Sequence, residues 1–363
     1  MKQRHFLSGH ATLNLDSTLA LRQFGKFKFW TFYVLLCTFL LTPLAAGAAD
    51  ITQQLQRPLN SSTSRQLRDE ADSLLQLAQQ QQASGFVEKA IASGSRALEI
   101  YHSIGDLKAQ GLTYDLLAKA YIQLDDVKSA EDNLRRRLAI ARDTQDFQSQ
   151  IFALNNVGSL LLQKGEFATA GQAIAEALSI ARNVKNIEGE GLSLSNLGLV
   201  AARMGDYNRA VKMYENALSF RRQTRDAIGE ANTLNNLGDA YLAVGDYENT
   251  IGNYGAAMRL AKITFDRPNQ LRAIDGLVAA HSSVRRYDRA FELLEQRLSI
   301  AQQLQNSQEQ LNSFSSYGQL YEKLGNYATA RNFYERAITL ARKLQDNQQE
   351  VRLLSRLSNI LKY

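Results

Sequence analysis

The sequence predicts an all-α protein, a solenoid of seven helix-turn-helix units closed by one C-terminal helix. Three observations carry that expectation. The 363-residue chain holds only three prolines and is rich in Ala, Leu, Gln, Arg and Glu, a composition that favours helix over strand. Apolar side chains recur at the three- and four-residue spacing of a helix face, as at Leu234, Leu237 and Tyr241. The whole pattern then returns every 40 residues, and a helical pair of that size buries its apolar stripe only by stacking on copies of itself.

The N-terminal 49 residues stand apart. They carry Lys2, Arg4, Arg22, Lys26 and Lys28 against the single acid Asp16, which leaves 37 basic and 35 acidic residues downstream. The net charge of +6 therefore sits mostly at the N-terminus. The body lacks the basic footprint of a nucleic-acid binder, and no such partner is expected. Phe29 to Ala49 is free of charge, is preceded by Arg22, Lys26 and Lys28, and ends in Pro43 and Ala45-Ala46-Gly47-Ala48-Ala49. This basic, apolar, small order is that of a secretory signal peptide, with Ala46 and Ala48 spaced for cleavage. The alternative is an uncleaved membrane anchor, since about 20 apolar residues span a bilayer. Under either reading the basic flank stays inside and the rest of the chain is exported. Membrane contact is expected only through this segment. Cys37 is the only cysteine, which excludes a disulfide framework and a thiolate metal site. Residues 50–66, with Gln53-Gln54, Pro58 and Asn60-Ser61-Ser62-Thr63-Ser64, have no periodicity and read as a flexible linker.

The seven units occupy residues 67–346. Each later one opens at an Asp or Asn: Asp106, Asp146, Asn186, Asp226, Asp266, Asn306 and, before the last helix, Asp346. These side chains suit the first free N–H groups of a helix. A large apolar residue recurs at Leu77, Leu117, Val157, Leu197, Leu237, Leu277, Tyr317 and Leu357, with a small neighbour such as Gly158, Gly198, Gly238 or Gly318 that lets the paired helix approach. Gly85, Gly165, Gly205, Gly245 and Gly325 precede an aromatic residue and end the first helix. Alanines at Ala90, Ala130, Ala170, Ala210, Ala290 and Ala330 mark the second. Units two and six depart, with Arg137 and Arg297 where alanine is expected and Arg285-Arg286 in place of Gly-Asp. Such long side chains are expected to reach out to solvent or to push units apart. Residues 347–363 form the capping helix.

The run Leu234-Asn-Asn-Leu-Gly-x-x-Tyr-x-x-x-Gly-Asp-Tyr247 resembles the tetratricopeptide repeat, in an extended form that lacks the closing proline of the 34-residue type. It is similar to the repeats of kinesin light chains and G-protein-signalling modulators, and to those that precede caspase-like proteases in cyanobacteria. The resemblance implies a right-handed superhelix whose concave groove binds peptides or helices.

Catalytic chemistry has little to work with. His5, His10, His102 and His281 show no metal-ligand spacing, and no Gly-x-Ser-x-Gly or His-Glu-x-x-His is present. His281 occupies the site of Tyr121, Tyr241 and Tyr321 and reads as a packed core residue. No enzyme, metal or cofactor is expected. The candidate recognition feature is a ladder of asparagines, Asn156, Asn196 and Asn236, with Asn155, Ser195 and Asn235 beside them. The resemblance implies that amides here hold the backbone of a bound peptide, since an amide both donates and accepts. The alternative is that they tie neighbouring helices together. Ser159, Gln163, Arg203 and Asp239 flank the ladder. The expected function is a non-enzymatic scaffold for a protein or peptide, exported in a bacterium to the periplasm or thylakoid lumen. The rival is a regulatory subunit for a separately encoded enzyme such as a caspase-like protease.

Overall fold

A computed structural model describes residues 61–360, within one compact unit that begins at Ser61. The signal-like segment and residues 50–60 lie outside the described residues. Among the described residues fifteen helices follow one another: α1 Ser61–Ala83, α2 Val87–Ser103, α3 Leu107–Gln123, α4 Val127–Asp143, α5 Phe147–Gln163, α6 Phe167–Asn183, α7 Ile187–Arg203, α8 Tyr207–Gln223, α9 Ala227–Ala243, α10 Tyr247–Ile263, α11 Arg267–Ser283, α12 Tyr287–Gln303, α13 Ser307–Lys323, α14 Tyr327–Lys343 and α15 Asn347–Ile360. Among the described residues there is no strand. Helices α1 to α14 form seven antiparallel pairs and α15 closes the stack, as the 40-residue pattern predicts. The first helix starts six residues before the expected 67, because Ser64, Leu67 and Ala71 already fall on one half-buried or buried helix face.

A single three-residue turn joins every helix to the next. At Val244-Gly245-Asp246 the first residue ends α9, Gly245 turns left-handed at φ +78°, and Asp246 begins α10. The Asp246 N–H donates back to Tyr241 O (2.9 Å) and the Gly245 N–H to Leu242 O (3.1 Å), which satisfies the last carbonyls of α9. The Asp246 side chain then accepts from Asn249 N, satisfying a free donor of α10. All seven expected helix-start residues, Asp106 through Asp346, accept from the backbone three residues on.

The core runs along the stack as a chain of clusters. The recurrent alanines are fully buried. Gly198, Gly238 and Gly318 sit against the rings of Tyr214, Tyr254 and Tyr334, and a Cβ at Gly238 would lie 2.9 Å from the Tyr254 ring. That contact explains why the position after the large residue must be small. Leu77 departs from its series: on the first described helix, it is 42% exposed.

Arg137 and Arg297 do not reach out to solvent. Arg297 is 3% exposed and donates to Asp275 (2.6 and 3.0 Å), to Ser313 Oγ (2.8 Å), and to Glu309. Arg137 donates to Asp115 (3.0 Å) and Ser149 (2.6 Å). Both guanidiniums are held inside the seam between units, where planar donors meet fixed carboxylates. Gly111 leaves the room: a Cβ there would fall 2.7 Å from Arg137.

Candidate functional site: the face of the first helices

First helices touch one another in much of the stack, α1 with α3, α5 with α7, α7 with α9 and α9 with α11, whereas the second helices make no comparable contact with one another. Elements on the inside of a curved stack lie closer than those outside, so the first helices form the concave side of this unit. The predicted site residues all lie on first helices, but the structure divides their roles.

Asn155 is 1% exposed and acts between units: its Nδ2 donates to Ile151 O (2.8 Å) and Ser193 Oγ (2.9 Å), and its Oδ1 accepts from Asn196 Nδ2 (2.8 Å). Ser195 continues the stitch to Thr233 (3.1 Å). Asn235, fully buried, donates to Asn269 O and Oδ1 (both 3.1 Å). Asn236 accepts from Arg272 (2.6 Å), whose guanidinium also bonds Asn232 (3.1 Å) and Asp239. Asp239 in turn accepts from the Tyr254 hydroxyl. Asn156 is exposed, Ser159 is half-buried and Arg203 is exposed; their side chains make no hydrogen bond or ion pair among the described residues. The ladder therefore divides into buried or half-buried members that bind neighbouring helices and one open amide, Asn156.

A cleft of about 860 Å³ on this face lies further along, where α11, α13 and α15 come together. Asp275, Ser282, Ser316, Gln319, Lys323 and Arg356 line it. Lys323 Nζ donates to Ser282 O (3.0 Å), and Arg356 approaches Glu322 at 3.4 Å. The sequence reading missed this cleft, although its register contains it: Asp275, Ser316, Gln319 and Lys323 are the equivalents of Asn235, Asn236, Ser159 and Arg203 at multiples of 40 residues.

The electrostatics suit hydrogen bonding rather than proton transfer. Burial first, then the carboxylate of Asp239, pushes the Tyr254 hydroxyl up, and burial with a bond to Glu322 does the same at Tyr334. These hydroxyls stay protonated and donate. His281 is buried as expected, and burial, Arg286 and Arg289 hold its imidazole below the usual value. Among the described residues no three His, Cys, Asp or Glu side chains are grouped to hold a metal ion.

The tetratricopeptide-repeat family profile matches residues 149–223, 229–303 and 276–343, more than half of the chain. The chain belongs to the tetratricopeptide-repeat family. Among solved structures, this tetratricopeptide solenoid is similar to the apo form of RapI, with 14% identity over 76% of this chain and 99% of that one at a TM-score of 0.59. It is also similar to BtubC from P. vanneervenii, with 19% identity over 61% and 92% at 0.53. A Rap protein complexed with competence and sporulation factor aligns at 13% identity over 83% and 98%, with a TM-score of 0.54. These likenesses establish a shared fold. No curated protein matches the chain by sequence.

Proposed function

We propose that the chain is a non-enzymatic scaffold that binds a protein or peptide along the face of its first helices, on the exported side of a bacterial membrane. The cleft between α11, α13 and α15 carries the reading. It is open and lined by serine, glutamine, lysine and arginine groups that suit a polypeptide backbone and polar side chains. A Rap protein of similar fold is complexed with competence and sporulation factor, which supports a solenoid of this kind as a binding surface. The export part rests on the basic, apolar, small order of residues 22–49.

Two substitutions test the binding face. Asn156→Arg and Gln319→Arg place long cations at exposed positions, where surface changes alter stability by about 0.5 kcal/mol or less. Affinity capture from the native compartment should lose its partner with both variants while their melting temperatures hold. Undiminished capture contradicts the assignment to this face. Intact mass of the protein from its native host tests export, with a chain starting near Ala49 or Asp50 expected; a cytoplasmic chain that keeps Met1 contradicts it.

A further inference from the structure

The end of α11 buries a titratable ring that no hydrogen bond accounts for. His281 is 8% exposed, and its Nδ1 is buried with no hydrogen-bond partner. In units two, five and seven a tyrosine holds the same place, as Tyr121, Tyr241 and Tyr321. The Tyr241 hydroxyl donates to Glu215 of the preceding second helix (3.1 Å). In the register of the repeat, the counterpart of Glu215 for His281 is Gly255. Unit six therefore sets an ionisable ring in a phenol's place and omits the carboxylate that serves the phenol in unit five.

The surrounding charges oppose a proton on this ring. Arg286 and Arg289 of α12 act on it, Arg289 being bridged to Glu292. On α13, Lys323 donates to Ser282 O (3.0 Å), and on α10 the guanidinium of Arg259 lies beside Gly255. On α9, the Asp239 carboxylate is already held by Arg272 and the Tyr254 hydroxyl. Burial first, then the two arginines of α12, hold the imidazole below its ordinary value. A protonated ring carries an N–H on both nitrogens, so it would bury a donor at Nδ1 without an acceptor, a costly arrangement in a low dielectric. The same stretch of helix builds the first-helix cleft: Val278, Ser282 and Ser283 line it, and Ser282 O anchors Lys323 on the opposite wall. We propose that His281 is an acid-sensitive latch, whose protonation loosens the last turn of α11 and with it the wall of the cleft, so that partner binding there falls as pH drops. The binding half rests on the proposed role of the cleft; the loosening does not.

A depressed folded value gives stability that is present above the unfolded value, about 6.5, and is lost as pH falls through the folded one. The full chain should therefore lose melting temperature between about pH 7.5 and about pH 5.5, above the range in which carboxylates titrate. His281→Tyr and His281→Leu, which carry the residue types of Tyr241 and Leu161 at this place, should each lose less. Hydrogen exchange read by mass spectrometry gives the local view. The ratio of exchange in residues 282–286 to that in the equivalent 242–246 removes the intrinsic pH dependence of the exchange chemistry. That ratio should rise on acidification in the unaltered chain and stay level in both variants. Equal pH-dependent losses of melting temperature in all three chains, or an exchange ratio that stays level in the unaltered chain, overturn the latch. Partner capture should weaken at the lower pH for the unaltered chain and hold for His281→Leu. Capture that is equal at both pH values in the unaltered chain overturns the coupling to binding, whereas absence of capture at either pH contradicts the role of the cleft and not the latch.

Discussion

Arg137 and Arg297 stand where other units have alanine, and each pairs with an aspartate 22 residues earlier, Asp115 or Asp275, at the position of Asn155 and Asn235. The exchange is concerted. Units three to five have alanine with an amide or hydroxyl, units two and six arginine with a carboxylate, and in both forms the seam to the next unit is hydrogen-bonded. Each position read alone looks like a defect; the pair was legible only by comparing two sites at once. Arg297→Ala should cost about 2–3 kcal/mol, near the low end for a broken buried pair because Asp275 keeps nearly half its side-chain exposure. Adding Asp275→Asn reproduces the pairing of Asn235 with Ala257, and should recover most of that loss. Denaturant melts of the two singles and the double give the coupling; simple additivity would contradict a concerted pair.

At the scale of the element, the three-residue turn sets the geometry. The sequence announced five of these turns through Gly85, Gly165, Gly205, Gly245 and Gly325, all at positive φ. Gly105 is a sixth. The same left-handed turn is made by Asp125, Gln145, Lys185, Arg225, Phe265, Arg285, Gln305 and Gln345, residues that carry no such signal because the surrounding helices impose the conformation. Arg285→Gly should therefore stabilise the chain by up to about 1 kcal/mol, and Gly245→Ala should destabilise it by about the same, as thermal melts would show. The caps add a pH dependence. The Ser149 hydroxyl and then its N–H hold the Asp146 carboxyl below the usual carboxylate value. A lowered folded pKa gives stability that is present above the unfolded value near 4 and is lost as pH falls through the folded one. Melting temperature should drop on acidification below about pH 4, and Asp146→Asn, which keeps a capping acceptor, should flatten that drop.

Over the whole stack, each unit rests on its neighbours, so the repeat register told almost all of the fold: seven pairs, their turns, and the closing helix. The site was only partly legible. Burial cannot be read from a recurring residue type, and Asn155, Asn196, Asn235 and Asn236 share a letter with the open Asn156 while bonding across seams. Asn196→Ala should lower the melting temperature by breaking the bond to Asn155, at a cost of about 1 kcal/mol, whereas Asn156→Ala should leave it unchanged; equal losses would contradict the division of the ladder. The first-helix face as the partner-binding surface is most directly tested by site-specific photo-crosslinking. A photoreactive residue at Asn156 or Gln319 on that face should link the native partner, and one at the exposed Ser219 of α8 should not. Crosslinks that form at Ser219 and are absent at both first-helix positions would contradict it.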